Sequence, residues 1–174
     1  SNRAGRFIFS AVDISIRKEM EEKAWHQANY DSLTELPNRN LLQNRLEQEL
    51  KLAERSNTRL AVLFVDLDNF KNINDSLGHG AGDGVLQQAS KRIVSCVRDT
   101  DTVARMGGDE FVLLLPQARE ATPFDEVCLR IIEALTEPFA LDLSEAYLSA
   151  SIGVAVYPTD GRAGDTLMMN ADAA

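Results

Sequence analysis

The stretch Ala104-Arg105-Met106-Gly107-Gly108-Asp109-Glu110-Phe111-Val112-Leu113-Leu114-Leu115 sets two glycines and two adjacent carboxylates between apolar runs. Gly-Gly and Gly-Asp pairs favour the tight turns that join antiparallel strands, because those turns need positive φ. The stretch therefore reads as a β-hairpin with its tip at 107–109. Turn chemistry accounts for Gly107, Gly108 and Asp109. It does not account for Glu110, which opens the returning strand where a β-branched or aromatic side chain fits better.

Working outward, Leu60-Ala61-Val62-Leu63-Phe64-Val65 is apolar at every position, the pattern of a central strand covered on both faces. It ends in Asp66-Leu67-Asp68, and open α/β sheets gather ligands at the carboxyl ends of their strands. Upstream, Leu41, Leu42, Leu46, Leu50 and Ala53 recur at helical steps. Downstream, Asp68 reads as the cap of a short helix with Phe70, Ile73 and Leu77 on one face, stopped by Gly78. A longer helix is expected from about Asp83, with Val85, Leu86, Ala89, Ile93, Val94 and Val97 as its buried stripe. Beyond the hairpin the pattern predicts a helix over about 122–137, a strand over 146–157, a turn at Pro158-Thr159-Asp160-Gly161 and a last helix. Strands alternating with helices, plus one hairpin, predict an α/β (α+β) fold: a palm-like βαββαβ core whose mixed central sheet of about five strands is surrounded by helices.

At the other end, residues 6–15 (RFIFSAVDIS) alternate apolar and polar and resemble the closing strand of a PAS sensor domain. Residues 16–30 are charged and helix-favouring, with Met20, Ala24, Trp25 and Ala28 as a thin apolar stripe, and read as a linker helix. The main domain is expected over 31–174. The chain starts without Met and stops at Ala174 inside a helical pattern, which predicts a piece of a longer protein.

A formal charge of −9 disfavours non-specific attraction to nucleic acid or anionic lipid, so no nucleic-acid partner is expected. Any phosphate handled here must arrive with a metal ion or meet a local group of cations. Cys96 and Cys128 fall within amphipathic helical patterns with no Cys-x-x-Cys pair, as expected of reduced thiols in a cytoplasmic domain. The longest apolar run, 60–65, is far short of the ~20 residues that span a bilayer, although a longer parent could still carry an anchor.

If Asp66 and the acids of the hairpin tip converge, two carboxylates ~4 Å apart repel by roughly 4 kcal/mol at an effective dielectric near 20. A divalent cation would hold them, and oxygen donors without histidine favour Mg²⁺ over zinc. The plainer alternative is that Asp66 merely ends a strand and Glu110 points to water.

Residues 107–111 spell GGDEF, and the chain resembles a diguanylate cyclase domain over about 140 residues. Residues 31–39 are similar to that family's opening D-x-L-T-x-L-P-N-R. Residues 66–83 (DLDNFKNINDSLGHGAGD) follow its D-x-D-x-F-K-x-x-N-D-x-x-G-H-x-x-G-D, and 151–155 follow its S-I-G-x-A strand. The resemblance implies condensation of two GTP into cyclic di-GMP and two pyrophosphates between two facing domains of a homodimer, with Mg²⁺ or Mn²⁺. It implies Asp66, Asp109 and the Leu67 carbonyl as metal ligands, and leaves open whether Glu110 completes the metal site or takes a proton. Lys71 is implied near the phosphates as a charge-stabilising group in catalysis. Phe70, Gly107 and Gly108 are implied against the nucleotide, and Asn74 and Asp83 as guanine readers. Without the resemblance Asp83 would read as a helix cap, Asn74 as a loop amide and His79 as a hydrogen-bonding loop residue.

Arg98-Asp99-Thr100-Asp101 gives R-x-x-D beginning nine residues before Gly107. This offset implies the family's inhibitory site, with cyclic di-GMP as product and inhibitor held by Arg98 and Asp101. The family continues with a tyrosine, a lysine and an arginine on and after its last helix, of which only Asp172 and Ala173 match the beginning here. The competing expectation is a catalytically silent domain that binds GTP or cyclic di-GMP and controls an attached module such as an EAL phosphodiesterase.

Overall fold

The computed structural model describes residues 4–117, 123–141 and 144–174, with side chains described from Ile16 onward except at Gln117 and Ser144. Helix α1 (Ala4–Asn29) leads into α2 (Arg39–Ser56), strand β1 (Arg59–Asp68), α3 (Phe70–Leu77) and α4 (His79–Ser95). The hairpin β2 (Thr102–Gly107) and β3 (Glu110–Gln117) follows. Then come α5 (Phe124–Thr136), β4 (Phe139–Leu141), β5 (Ser144–Ala146), β6 (Ser149–Tyr157) and α6 (Gly164–Ala173).

The main sheet has the order β2-β3-β1-β6, and β4 with β5 forms a separate ribbon. This is the expected palm-like βαββαβ arrangement. The main sheet holds four strands, and the run expected at 146–157 supplies β6 from Ser149 while its first residue, Ala146, closes the short β5. β1 and β2 run the same way, but β3 is inserted between them, so every hydrogen-bonded pair is antiparallel.

β1 is apolar from Leu60 to Val65 because its two faces feed two cores. Ala61, Leu63, Val65 and Leu67 pack with Val85, Leu86, Ala89 and Ile93 of α4 and with Ile131 and Leu135 of α5. Leu60 and Val62 pack on the opposite face with Leu42 and Leu46 of α2 and Leu167 and Ala171 of α6. Each fully buried Leu or Val side chain contributes roughly 1.5–3 kcal/mol. The strand is thus fixed in register, and its polar end is fixed with it. Both cysteines are free and half-buried against the first core.

Residues 6–15 are helical, not the extended strand that their alternation suggests. A lone strand leaves its backbone N–H and C=O groups without a ladder, whereas continuing upstream from the helix-favouring 16–29 satisfies them internally. α1 ends against a tight junction. The Asn38 side chain caps α2 by accepting from the Asn40 and Leu41 N–H groups, and its amide donates to the Ala28 carbonyl of α1 at 2.9 Å. Among the described residues no helix is long and apolar enough to cross a membrane.

Candidate functional site

The carboxyl end of β1 carries the acids. In the ladder Asp66 stands opposite Glu110 of β3 on one side and Ser151 of β6 on the other. Directly opposed residues of an antiparallel pair point to the same face, so the two carboxylates share one side of the sheet. The hairpin tip is tied to this edge by a long backbone hydrogen bond, 3.4 Å, from the Leu67 N–H to the Asp109 carbonyl. Gly107 and Gly108 adopt φ of 138° and 55°, and the space where a Cβ would sit is open at both. Glycine is therefore required by backbone conformation rather than by crowding.

Burial first, then the carboxylates of Asp109, Asp68 and Asp172, push the Asp66 pKa up. Glu110 is pushed up by burial and by Asp66, Asp172 and Asp109, with Arg39 opposing. Asp66, Asp109 and Glu110 are therefore brought into mutual electrostatic range, the convergence expected from the sequence. Among the described residues no three His, Cys, Asp or Glu side chains form a ready metal cluster. The carboxylates at this edge offer hard oxygen donors, the chemistry that suits Mg²⁺ or Mn²⁺ rather than zinc.

A cleft of about 520 Å³ opens beside these acids, lined by Asp66, Leu67 and Asp109 and by Phe70 and Lys71 at the start of α3. Lys71 is exposed, whereas Phe70 is only 7% exposed and belongs mainly to the core. Asp68 does not cap α3. Its strand position faces Ser149, and its carboxylate accepts from the hydroxyls of Ser149 at 2.6 Å and Ser151 at 2.8 Å. Asn69, in the left-handed region, takes the cap position with no side-chain bond.

Asn74 and Asp83 lie outside that cleft lining, on the adjoining helices α3 and α4. The Asn74 amide rests against Gly82, the residue before Asp83, so the two are neighbours in space. Asp83 is exposed and is not a cap, because Gly78 ends α3 and α4 starts at once with His79. His79 accordingly opens a helix on the surface instead of lying in a loop.

Arg98 and Asp101 sit at the opposite end of β2 from the hairpin tip, about 20 Å away along the strand. They close a turn on each other: the Arg98 N–H donates to Asp101 Oδ2 at 2.9 Å, and the Asp101 N–H donates to the Arg98 carbonyl at 2.9 Å. Burial pushes the Asp101 carboxyl up against the opposing pull of that N–H and of the Arg98 and Arg130 charges.

Several residues were not singled out from the sequence. Arg105 donates from Nε and a terminal nitrogen to the Gly108 carbonyl, at 3.1 and 2.7 Å, and from its other terminal nitrogen to both Asp31 oxygens, at 3.0 and 3.2 Å. Burial alone would raise the Asp31 carboxyl, but the Thr34 hydroxyl, Arg105 and the Thr34 N–H outweigh it and hold it below the ordinary range. One guanidinium thus joins the turn that follows α1 to the hairpin tip. The two-residue spacing of Asp66 and Asp68 puts them on one face of β1, a signal that the reading of Asp68 as a cap passed over. Nothing local signalled Arg105, and Arg39 and Asp172 entered only through the family motifs, with no charge role assigned to either.

Residues 28–174 match the family model described as diguanylate cyclase, GGDEF domain. The bifunctional diguanylate cyclase/cyclic di-GMP phosphodiesterase MucR of Pseudomonas aeruginosa is 48% identical over 147 residues, covering 84% of this chain and 21% of MucR. The chain spans between about a fifth and a quarter of the length of the first curated relatives it matches. A sensory box/GGDEF family protein of Caulobacter crescentus superposes with a TM-score of 0.79 at 42% identity, over 84% of this chain and 94% of that one. The coiled coil and GGDEF domain of DgcB from Caulobacter crescentus, in complex with c-di-GMP, superposes with a TM-score of 0.88 at 26% identity, over 100% of this chain and 92% of that one. With the family model matching residues 28–174 and relatives 48% and 42% identical over most of the chain, the chain belongs to the GGDEF-domain family of diguanylate cyclases.

Proposed function

We propose that this domain binds GTP with Mg²⁺ or Mn²⁺ and condenses it with a second GTP, held by a facing copy of the domain, into cyclic di-GMP and two pyrophosphates. The observation that carries the reading is the opposition of Asp66 and Glu110 beside the Asp109 turn, at the mouth of an open cleft. Asp66, Asp109 and the Leu67 carbonyl would hold the cation, which when bound polarises the α-phosphate and lowers the pKa of the attacking ribose hydroxyl. Lys71 offsets phosphate charge from the first turn of α3. Glu110 completes the carboxylate group or accepts the ribose proton.

Guanine is read by Asp83, whose carboxylate accepts from N1–H and the N2 amine, and by Asn74. Adenine offers neither donor there, and leaving such acceptors unpaired excludes ATP. Phe70, Gly107 and Gly108 form the surface against which the nucleotide lies. Exposed Met20, Ala24, Trp25 and Ala28 on α1 offer a second copy a thin apolar stripe on which to align the two domains. The Arg98–Asp101 turn would hold product as an inhibitor, through the planar fork of Arg98 and a guanine-accepting Asp101 carboxylate.

Purified protein incubated with GTP and Mg²⁺ should yield cyclic di-GMP, and Asp109→Ala should abolish it. Intact GTP after long incubation of a dimeric sample would remove the cyclase reading. A second reading has support in two similar proteins named only as cyclic di-GMP phosphodiesterases, PdeR of Escherichia coli and NbdA of Pseudomonas aeruginosa: the domain binds guanine nucleotide and regulates an attached phosphodiesterase module without turnover. GTP binding without product, with a neighbouring EAL domain that responds to GTP, would favour it.

A further inference from the structure

We propose that Gly82 is a positioning residue for nucleobase specificity: its missing side chain forms the socket that sets where the Asn74 amide meets the base. The inference rests on the proposed reading of Asn74 as a guanine contact. Gly82 is buried in α4 where that helix crosses α3. A Cβ built there would overlap Asn74 Oδ1 and come within 2.9 Å of Asn74 Cγ and 3.1 Å of the Phe70 ring edge.

The obstructing atoms belong to the end of a rotatable side chain, not to backbone. An alanine can therefore be accommodated by swinging the amide aside and moving the Phe70 ring a few tenths of an ångström. Alanine also favours a helix interior over glycine. The fold should tolerate the change, while the amide cannot keep its place.

Among the described residues the Asn74 amide makes no hydrogen bond to the protein, and its polar atoms are open to solvent while its body packs against Gly82. A half-buried amide without a protein partner, seated in a recess one residue from Asp83, is arranged to spend its hydrogen bonds on a ligand. The specificity of the site would then depend on a residue that never touches the nucleotide.

The test compares wild type, Asn74→Ala, Gly82→Ala and the double variant by calorimetric titration with GTP and with ITP, which lacks the guanine N2 amine, in Mg²⁺. Gly82→Ala should melt at or above the wild-type temperature, bind GTP about tenfold more weakly and lose part of its preference for GTP over ITP, the Asp83 contact to the N2 amine being retained. In the Asn74→Ala background the same change should add nothing. Wild-type GTP binding by Gly82→Ala, an equal further loss in the double variant, or a melting temperature well below wild type would each overturn the role of Gly82. Wild-type GTP affinity in Asn74→Ala would instead overturn the guanine-contact reading, and the role of Gly82 with it.

Discussion

Asp66 and Glu110 stand directly across the β1–β3 ladder from each other, on the same face of the sheet and beside the turn that carries Asp109. Like charges so placed destabilise the strand pair that bears them. Both carboxyls are raised by burial and by their acidic neighbours. A native pKa above the unfolded value means that the associated stability is full below about pH 4 and is lost as the pH climbs through the raised values.

Glu110→Gln should therefore stabilise the metal-free domain at pH 7 by roughly 0.2–1 kcal/mol, and the gain should vanish at pH 4 or below. Urea midpoints of the two proteins in EDTA, compared at both pH values, check this. A gain independent of pH would count against repulsion as its origin.

Asp31 titrates with the opposite sign. Its carboxyl is held below the ordinary range, so the stability it contributes is present above about pH 4 and is lost as the pH falls through the depressed value. Asp31→Asn should be less stable than wild type at neutral pH, with the difference closing in acid. Parallel pH curves for the two proteins would contradict the Arg105–Asp31 contact.

Arg105 ties that same carboxylate to the Gly108 carbonyl. Arg105→Ala should cost about 1.5–3 kcal/mol in denaturant unfolding and lower the affinity for GTP with Mg²⁺, since the turn bearing Asp109 loses its brace. Arg105→Lys should not restore affinity, because a single ammonium cannot span two acceptors as a planar fork does. Full rescue by lysine would reduce the contact to simple charge.

Gly153 of β6 faces α6 so closely that a Cβ would overlap the Ala171 carbonyl oxygen and approach its carbon at 3.0 Å. The obstacle is backbone, so Gly153→Ala must lift the helix, at a cost of about 1–3 kcal/mol. Thermal melting measures the cost, and an unchanged midpoint would show that α6 is seated more loosely.

Arg98→Ala should raise the cyclic di-GMP concentration needed to halt synthesis. Progress curves at increasing added product check this, and identical inhibition of wild type and variant would exclude Arg98 from the inhibitory site.

How far the sequence could be read follows from these contacts. The run 60–65 announced a doubly covered strand because both cores draw on it, and the glycine pair announced the hairpin because only a tight turn explains it. Asp66, Asp109 and Glu110 were legible from their position at strand ends. Arg105 was not, since its partners Asp31 and Gly108 meet it only through the turn that closes α1 against the sheet. The strand inferred at 6–15 failed for a related reason: alternation records a face but not the presence of a partner. Asp68 was assigned to a cap on local grounds, and a cross-strand pair of serines, invisible in one dimension, claimed it instead.

The central claim is that Asp66 and Asp109 together hold the cation of a bound GTP. Crystals soaked with a non-hydrolysable GTP analogue and Mn²⁺, with diffraction recorded at the manganese edge, test it most directly. An anomalous peak within about 2.5 Å of oxygens from both carboxylates is the expected result. A peak that touches neither, with the nucleotide ordered elsewhere on the surface, would contradict it.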